Sequence, residues 1–228
     1  MITPDDEALR GHDGLGGAIE NAAFVLALRG RGTRDTAVLR AMEQVPRAAF
    51  APAAHRHLAR RDLTLPLACG AAMTAPSTVA TMLALLRVEA GMRILEIGTG
   101  SGYVTALLLQ LGAGAVTSLE RYATLVALAR TNLARTNLAR ADLGGRARIV
   151  QGDGLAEIGE GGFDRILVDG AVSALPPGWG AALNPNGRLV AGSEGGLTVA
   201  EPRGQGLVVE PGPRLRLAPL VPGRAAAL

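Results

Sequence analysis

Arg93-Ile94-Leu95-Glu96-Ile97-Gly98-Thr99-Gly100-Ser101-Gly102-Tyr103 joins a short apolar strand to an apolar helix through three glycines spaced Gly-x-Gly-x-Gly. Glycines at 98, 100 and 102 let the backbone turn sharply. They also bring its amides against a ligand without Cβ interference, beside the positive end of a helix dipole. The turn therefore reads as nucleotide-binding. It is neither the Gly-x-Gly-x-x-Gly of a dinucleotide site nor a phosphate loop ending in Gly-Lys-Ser/Thr, and the chain contains no lysine.

Outward from this turn, strands and helices alternate at about 93–97, 101–111, 115–119, 122–140, 147–151, 164–169, 176–183 and 187–191, a doubly wound α/β pattern. Upstream, an amphipathic helix from Asp35 to Met42 is ended by Val45-Pro46-Arg47, and an irregular segment runs to Met73. A second helix, Pro76 to Leu86, starts with proline in its first turn. Residues 1–90 are expected to form a helical and irregular extension packed on a core of residues 91–228, together one compact unit. The tail from Gly195 is rich in glycine and proline, and Leu207-Val208-Val209 with Leu215-Arg216-Leu217 reads as an edge hairpin. The repeat Ala129-Arg130-Thr131-Asn132-Leu133, Ala134-Arg135-Thr136-Asn137-Leu138 turns its two leucines about 140° apart on a helix. It reads as replication slippage on a surface helix.

Three acids decide which nucleotide. Glu96 lies inside the turn, where it would repel a pyrophosphate but welcome the α-ammonium of an amino-acid-bearing nucleotide. Glu120 ends the second strand at the distance where an acid binds ribose hydroxyls. Asp153, in Gly152-Asp153-Gly154 after the third strand, can accept from an adenine amino group. The ordered set fits S-adenosylmethionine.

The 228 residues carry a net charge of +3, and every basic side chain other than histidine is arginine, scattered rather than striped, which does not make a nucleic-acid face. The single cysteine, Cys69, excludes an internal disulfide and a cysteine zinc cluster. His55 and His57 read as surface decoration, so no metal is expected. The longest apolar stretch, Val104 to Val116, is too short for a bilayer. Met1 to Glu7 is acidic where a signal peptide would be basic and apolar, so a cytoplasmic protein without a membrane is expected. The oligomeric state is left open.

Val45-Pro46-Arg47-Ala48-Ala49-Phe50, Leu65-Pro66-Leu67, the loop Gly70 to Pro76 and Leu95 to Tyr103 together resemble the protein-L-isoaspartate O-methyltransferase family. The likeness continues through Glu120-Arg121, Gly152-Asp153-Gly154, Phe163-Asp164-Arg165-Ile166, Asn186-Gly187-Arg188-Leu189-Val190 and Ala218-Pro219-Leu220. It implies a Rossmann-like methyltransferase sheet and methyl transfer from S-adenosylmethionine to an isoaspartyl or aspartyl carboxylate in a protein or peptide; the ester then collapses to a succinimide. It further implies cofactor contacts at Glu96, Gly98, Thr99, Gly100, Ser101, Gly102, Glu120, Arg121, Asp153 and Gly154. Substrate contacts follow at Gly70, Met73, Thr74, Pro76 and Asp169.

The family loop reads Gly-Gln-Thr-Ile-Ser-Gln-Pro, and here it is Gly70-Ala71-Ala72-Met73-Thr74-Ala75-Pro76. Thr74 falls on the family's active-site serine and is the catalytic candidate; its other reading is an N-cap for the helix after Pro76. Asp169 stands where the family has a small or uncharged residue, either as a substrate ligand or as a solvated loop acid. The altered loop opens a second reading, a peptide-tailoring aspartyl methyltransferase. A nucleic-acid methyltransferase lacks its Asn/Asp-Pro-Pro-aromatic motif, since Asp169-Gly170-Ala171-Val172 follows the fourth strand. The remaining reading is a cofactor-binding module without turnover.

Overall fold

The computed structural model describes residues 15–136, 144–204 and 206–227. The helices are α1 (Leu15–Gly30), α2 (Thr36–Gln44), α3 (Pro76–Leu86), α4 (Tyr103–Gln110), α5 (Ala123–Arg135) and α6 (Pro177–Ala182). The strands are β1 (Leu65–Pro66), β2 (Ala72–Met73), β3 (Arg93–Ile97), β4 (Ala115–Glu120), β5 (Ala147–Gln151), β6 (Phe163–Ala171), β7 (Leu183–Ser193), β8 (Gly196–Arg203) and β9 (Gly206–Pro211). β1 and β2 form a small antiparallel pair, and the other seven make one sheet in the order β5-β4-β3-β6-β7-β8-β9.

Strands β5 to β7 are parallel, and β8 and β9 extend the sheet antiparallel. After β3 the chain moves outward through β4 and β5, then returns to pair β6 on the other side of β3. Such a switch point leaves a crevice beyond the carboxyl ends of the strands, where α/β proteins bind ligands. The glycine turn, the end of β4 and the end of β6 all border it.

Alternation along the strands divides the core. Ile94, Val116, Ile149, Leu167 and Val190 pack with α1 to α5 on one face. Leu95, Ile97, Leu119, Ile166 and Val168 pack with Trp179 of α6 on the other. No helix among the described residues is long and apolar enough to cross a membrane.

Several expectations change. Helix α1 was not read from the sequence, because exposed Ile19 and Leu26 blur the stripe made by buried Phe24 and Leu28. The edge hairpin is β8–β9, not 207–209 with 215–217; the buried run Leu197-Thr198-Val199-Ala200 supplies its inner strand, and Pro202 stays at its end. The helix expected at 122–140 is α5, ending at Arg135, while 137–140 and the second copies of Asn and Leu, Asn137 and Leu138, lie outside the described residues. In the first copy Asn132 and Leu133 are buried on the inner face of α5, while Arg130, Thr131 and Ala134 lie exposed on its outer face.

Candidate active site

Positive φ at Gly98 (95°), Gly100 (53°) and Gly102 (85°) makes the turn after β3. A Cβ at Gly98 would meet the Asp169 carbonyl oxygen at 3.0 Å, and one at Gly102 would meet the α5 backbone at 3.3 Å, so a side chain would be crowded as well as strained in φ. Gly98 N and Thr99 N donate to Leu119 O, which ties the turn to β4. Thr99 and Ser118 share a hydroxyl hydrogen bond at 2.5 Å, and Asn132 Nδ2 donates to Ser101 O at 2.9 Å.

A cavity of about 200 Å³ opens over this turn. One water needs roughly 10–15 Å³ by the same measure, so the cavity takes a ligand of many atoms. Gly98 to Ser101, Glu120, Arg121 and Gly154 line one side, and Cys69 to Thr74 with Asp169 line the other. Glu120 accepts from Gly100 N (3.0 Å) and Tyr122 N (3.0 Å). A carboxylate has about four acceptor sites, so two remain for hydroxyls of a ligand. The charged side chains of the lining are Glu120, Asp169 and Arg121, and the Arg121 guanidinium is turned to the Tyr122 ring and the Gly223 carbonyl. An acidic excess beside the turn suits a nucleoside bearing a cation and does not suit a phosphate.

Two of the three acids stand elsewhere. Glu96 is wholly buried and faces α4, where Thr105 donates to its Oε2 while Oε1 has no partner. Burial raises its pKa to about 8, against hydrogen bonds from Ser118 and Thr105 that pull it down and with Asp169 and Glu120 pushing it up. Glu96 thus supports the turn from beneath and is not in the lining. Asp153 is at the rim, accepting from Leu155 N (2.9 Å) and from Gly223 N (2.7 Å). Gly154 beside it packs against Ile97 so closely that a Cβ would meet Cγ2 at 2.3 Å.

The loop side is built differently. Arg47 is 4% exposed, and its guanidinium donates to the carbonyls of Ala59 (3.1 Å), Leu63 (3.1 Å), Met73 (3.5 Å) and Thr74 (3.1 Å). One side chain therefore joins the loop to the segment before β1. Cys69 (φ 59°) and Gly70 (φ 66°) are both left-handed, and the non-glycine one is strained. Thr74 Oγ1 donates to Asp169 Oδ1 at 2.6 Å. Thr74 is not an N-cap: Ala75 holds that position, and Ser77 N is met by Asp62 Oδ1 at 2.8 Å. Asp169 belongs to β6 and opens only partly, into the cavity, which replaces the reading of a solvated loop acid. Pro76 starts α3 and lies just outside the lining.

Three contributors were not read from the sequence as site residues. Arg47 was seen only as part of a motif, although a charge followed by Ala48-Ala49-Phe50 signals burial. Trp179, fully buried, donates Nε1–H to Gly154 O at 2.8 Å and props that loop. The tail crosses the strand ends, with Ala218 to Val221 in the lining and Ala225 O accepting from Gln151 Nε2 at 2.9 Å. Among the described residues no three His, Cys, Asp or Glu side chains gather as metal ligands.

Residues 19–199 match the family model described as Protein-L-isoaspartate(D-aspartate) O-methyltransferase. The chain is 42% identical over 215 residues to protein-L-isoaspartate O-methyltransferase 2 of Rhodopseudomonas palustris strain HaA2, covering 92% of this chain and 96% of that one. It is 46% identical over 173 residues to the protein-L-isoaspartate O-methyltransferase of strain BisB5, covering 75% and 76%. In fold it is similar to a structure described as a Plasmodium falciparum beta-aspartate methyltransferase in complex with S-adenosyl-L-homocysteine, with a TM-score of 0.75, 23% identity, and coverage of 87% of this chain and 97% of that one.

Proposed function

The chain belongs to the protein-L-isoaspartate(D-aspartate) O-methyltransferase family, and from that premise we propose that it methylates the free carboxylate of an isoaspartyl residue in a protein or peptide. The observation that carries this reading is the shared lining, in which the glycine turn and the loop Gly70 to Thr74 face one cavity. S-adenosylmethionine, when bound, supplies a methyl group on a positively charged sulfur. On this reading the turn residues Gly98, Thr99, Gly100 and Ser101 receive its amino-acid end, and Glu120 accepts from the ribose. Arg121 and Gly154 flank the base, with Ile97, Leu119 and Leu155 as its apolar wall. Gly102, Glu96 and Asp153 act at one remove, by shaping the turn, supporting it and anchoring the tail.

Gly70, Met73 and Thr74 form the acceptor side with Asp169, and Pro76 fixes where α3 begins. An acceptor carboxylate has an ordinary pKa of about 4 and is ionised at neutral pH, so the chain need not supply a base. Its work is orientation and exclusion of water. The ester then closes to a succinimide, releasing methanol, without further help from the enzyme. Residues 1–90 act with 91–228 as one unit in this scheme, since Arg47 and Thr74 belong to the first and Glu120 and Asp169 to the second.

Incubation of matched isoaspartyl and aspartyl peptides with enzyme and S-adenosylmethionine tests the reading by mass spectrometry. A mass gain of one methyl on the isoaspartyl peptide alone is expected, and a blank on both would overturn it. Ala71 and Ala72 face the cavity where the resembled loop carries larger polar side chains, which favours a second reading, a dedicated peptide acceptor. Methylation of the aspartyl form alone would support that one.

A further inference from the structure

The methyl transfer just described leaves Asp169 without a task. Its carboxylate faces the acceptor side of the cavity, and Oδ1 is fixed by the Thr74 hydroxyl at 2.6 Å, a contact spanning 95 residues of sequence between the loop and β6. Oδ2 takes no donor among the described residues. If the acceptor is itself a carboxylate, docking brings a second anion against a half-buried carboxylate, and two such groups at close range cannot both stay ionised.

The surrounding groups do not relieve that conflict. From β3, Glu96 is held protonated at neutral pH by burial and adds no counter-charge. From β4, Glu120 is an anion, and Arg121 is engaged with Tyr122 and Gly223. From α4, burial pushes the Tyr103 phenol well above its ordinary value, so it stays neutral. Behind the loop, the Arg47 guanidinium is committed to four carbonyls. Cys69 is the loop's other titratable group, and Ala218 to Val221 of the tail carry none.

We infer that Asp169 recognises the acceptor by sharing a proton with it, so that docking of the substrate carboxylate takes up one proton from solvent. Thr74 is the positioning residue. Its hydroxyl holds Oδ1, and the proton on Oδ2 is donated to one oxygen of the acceptor, leaving the other oxygen to take the methyl group. When the neutral ester leaves, Asp169 returns the proton to solvent, so nothing is consumed beyond the methyl transfer itself. Burial already raises the Asp169 pKa to about 6, against the pull of the Thr74 hydrogen bond, which is the direction the pairing requires.

This inference rests on the proposed carboxyl acceptor, and calorimetry with an isoaspartyl peptide and the enzyme loaded with S-adenosyl-L-homocysteine separates the two. In buffers of different ionisation enthalpy at pH 7, where Glu96 stays largely protonated, the enzyme is expected to take up close to one proton per peptide bound. Asp169→Asn, whose amide donates at every pH, is expected to take up none while keeping its affinity for S-adenosyl-L-homocysteine. In turnover, KM for the peptide should rise about tenfold per pH unit on the alkaline side in the native enzyme and stay flat in the variant. Thr74→Val should retain the proton uptake but weaken peptide binding. Methylation without proton uptake, or the same KM profile in Asp169→Asn, would overturn the inference and leave the proposed function standing. A native enzyme that binds and methylates no isoaspartyl peptide at any pH removes both.

Discussion

The two sides of the cavity are held by different means. On the turn side, several separate contacts share the work: Gly98 and Thr99 amides meet Leu119 O, Gly100 N meets the Glu120 carboxylate, and Gly102 packs against α5. On the loop side, a strained segment that pairs with β1 in a short hairpin is tied to more distant parts of the chain by side chains, one guanidinium and one hydroxyl–carboxylate pair. Many small contacts tolerate the loss of any one; a single multidentate side chain does not. The cofactor half should therefore survive changes that disable the acceptor half.

The largest effect is expected from Arg47→Met, which keeps much of the volume but leaves buried carbonyls without donors, at about 1–3 kcal/mol for each that water cannot reach. Melting should fall by roughly 10 °C. Methyl transfer to an isoaspartyl peptide should drop by more than about a hundredfold, while affinity for S-adenosyl-L-homocysteine stays within about threefold. Arg47→Lys should rescue little, because an ammonium cannot span four carbonyls. Cofactor binding lost in parallel with turnover would break the comparison. Glu120→Gln is its smaller counterpart: loss of a charged acceptor costs about 1.5–3 kcal/mol, a ten- to hundredfold weaker cofactor by calorimetry, with peptide KM unchanged at saturating cofactor.

The same division explains what could be read from the sequence. The turn, the alternation of strands and helices around it and Glu120 were legible because each follows from local rules: glycines where φ must be positive, apolar periodicity, and acids at strand ends. Arg47 was not, because its four acceptors come from three separate places in the chain. Glu96 and Asp153 were legible as acids near the turn but not in their orientation. Alternation turns Glu96 toward α4, and the tail engages Asp153 from 70 residues away. The Thr74–Asp169 contact likewise joins residues 95 apart in sequence, and Asp169 reaches the cavity only because the β3–β6 pairing sets the end of β6 beside the glycine turn.

The smallest effect sharpens the turn side. Glu96 has its pKa raised to about 8 by burial, so the folded chain holds a proton that the unfolded chain releases near 4.5. Its contribution to stability is complete below 4.5 and is lost as pH rises toward 8, flat beyond that. Glu96→Gln removes the titration and keeps the shape of the neutral acid. Near pH 5 the variant should melt within a degree or two of the parent. By pH 9 it should melt a few degrees higher relative to it, and cofactor affinity at neutral pH should barely change. If the variant instead loses both stability and cofactor affinity at pH 7, Glu96 is an anion there, and the turn side depends on a single buried charge much as the loop side depends on Arg47.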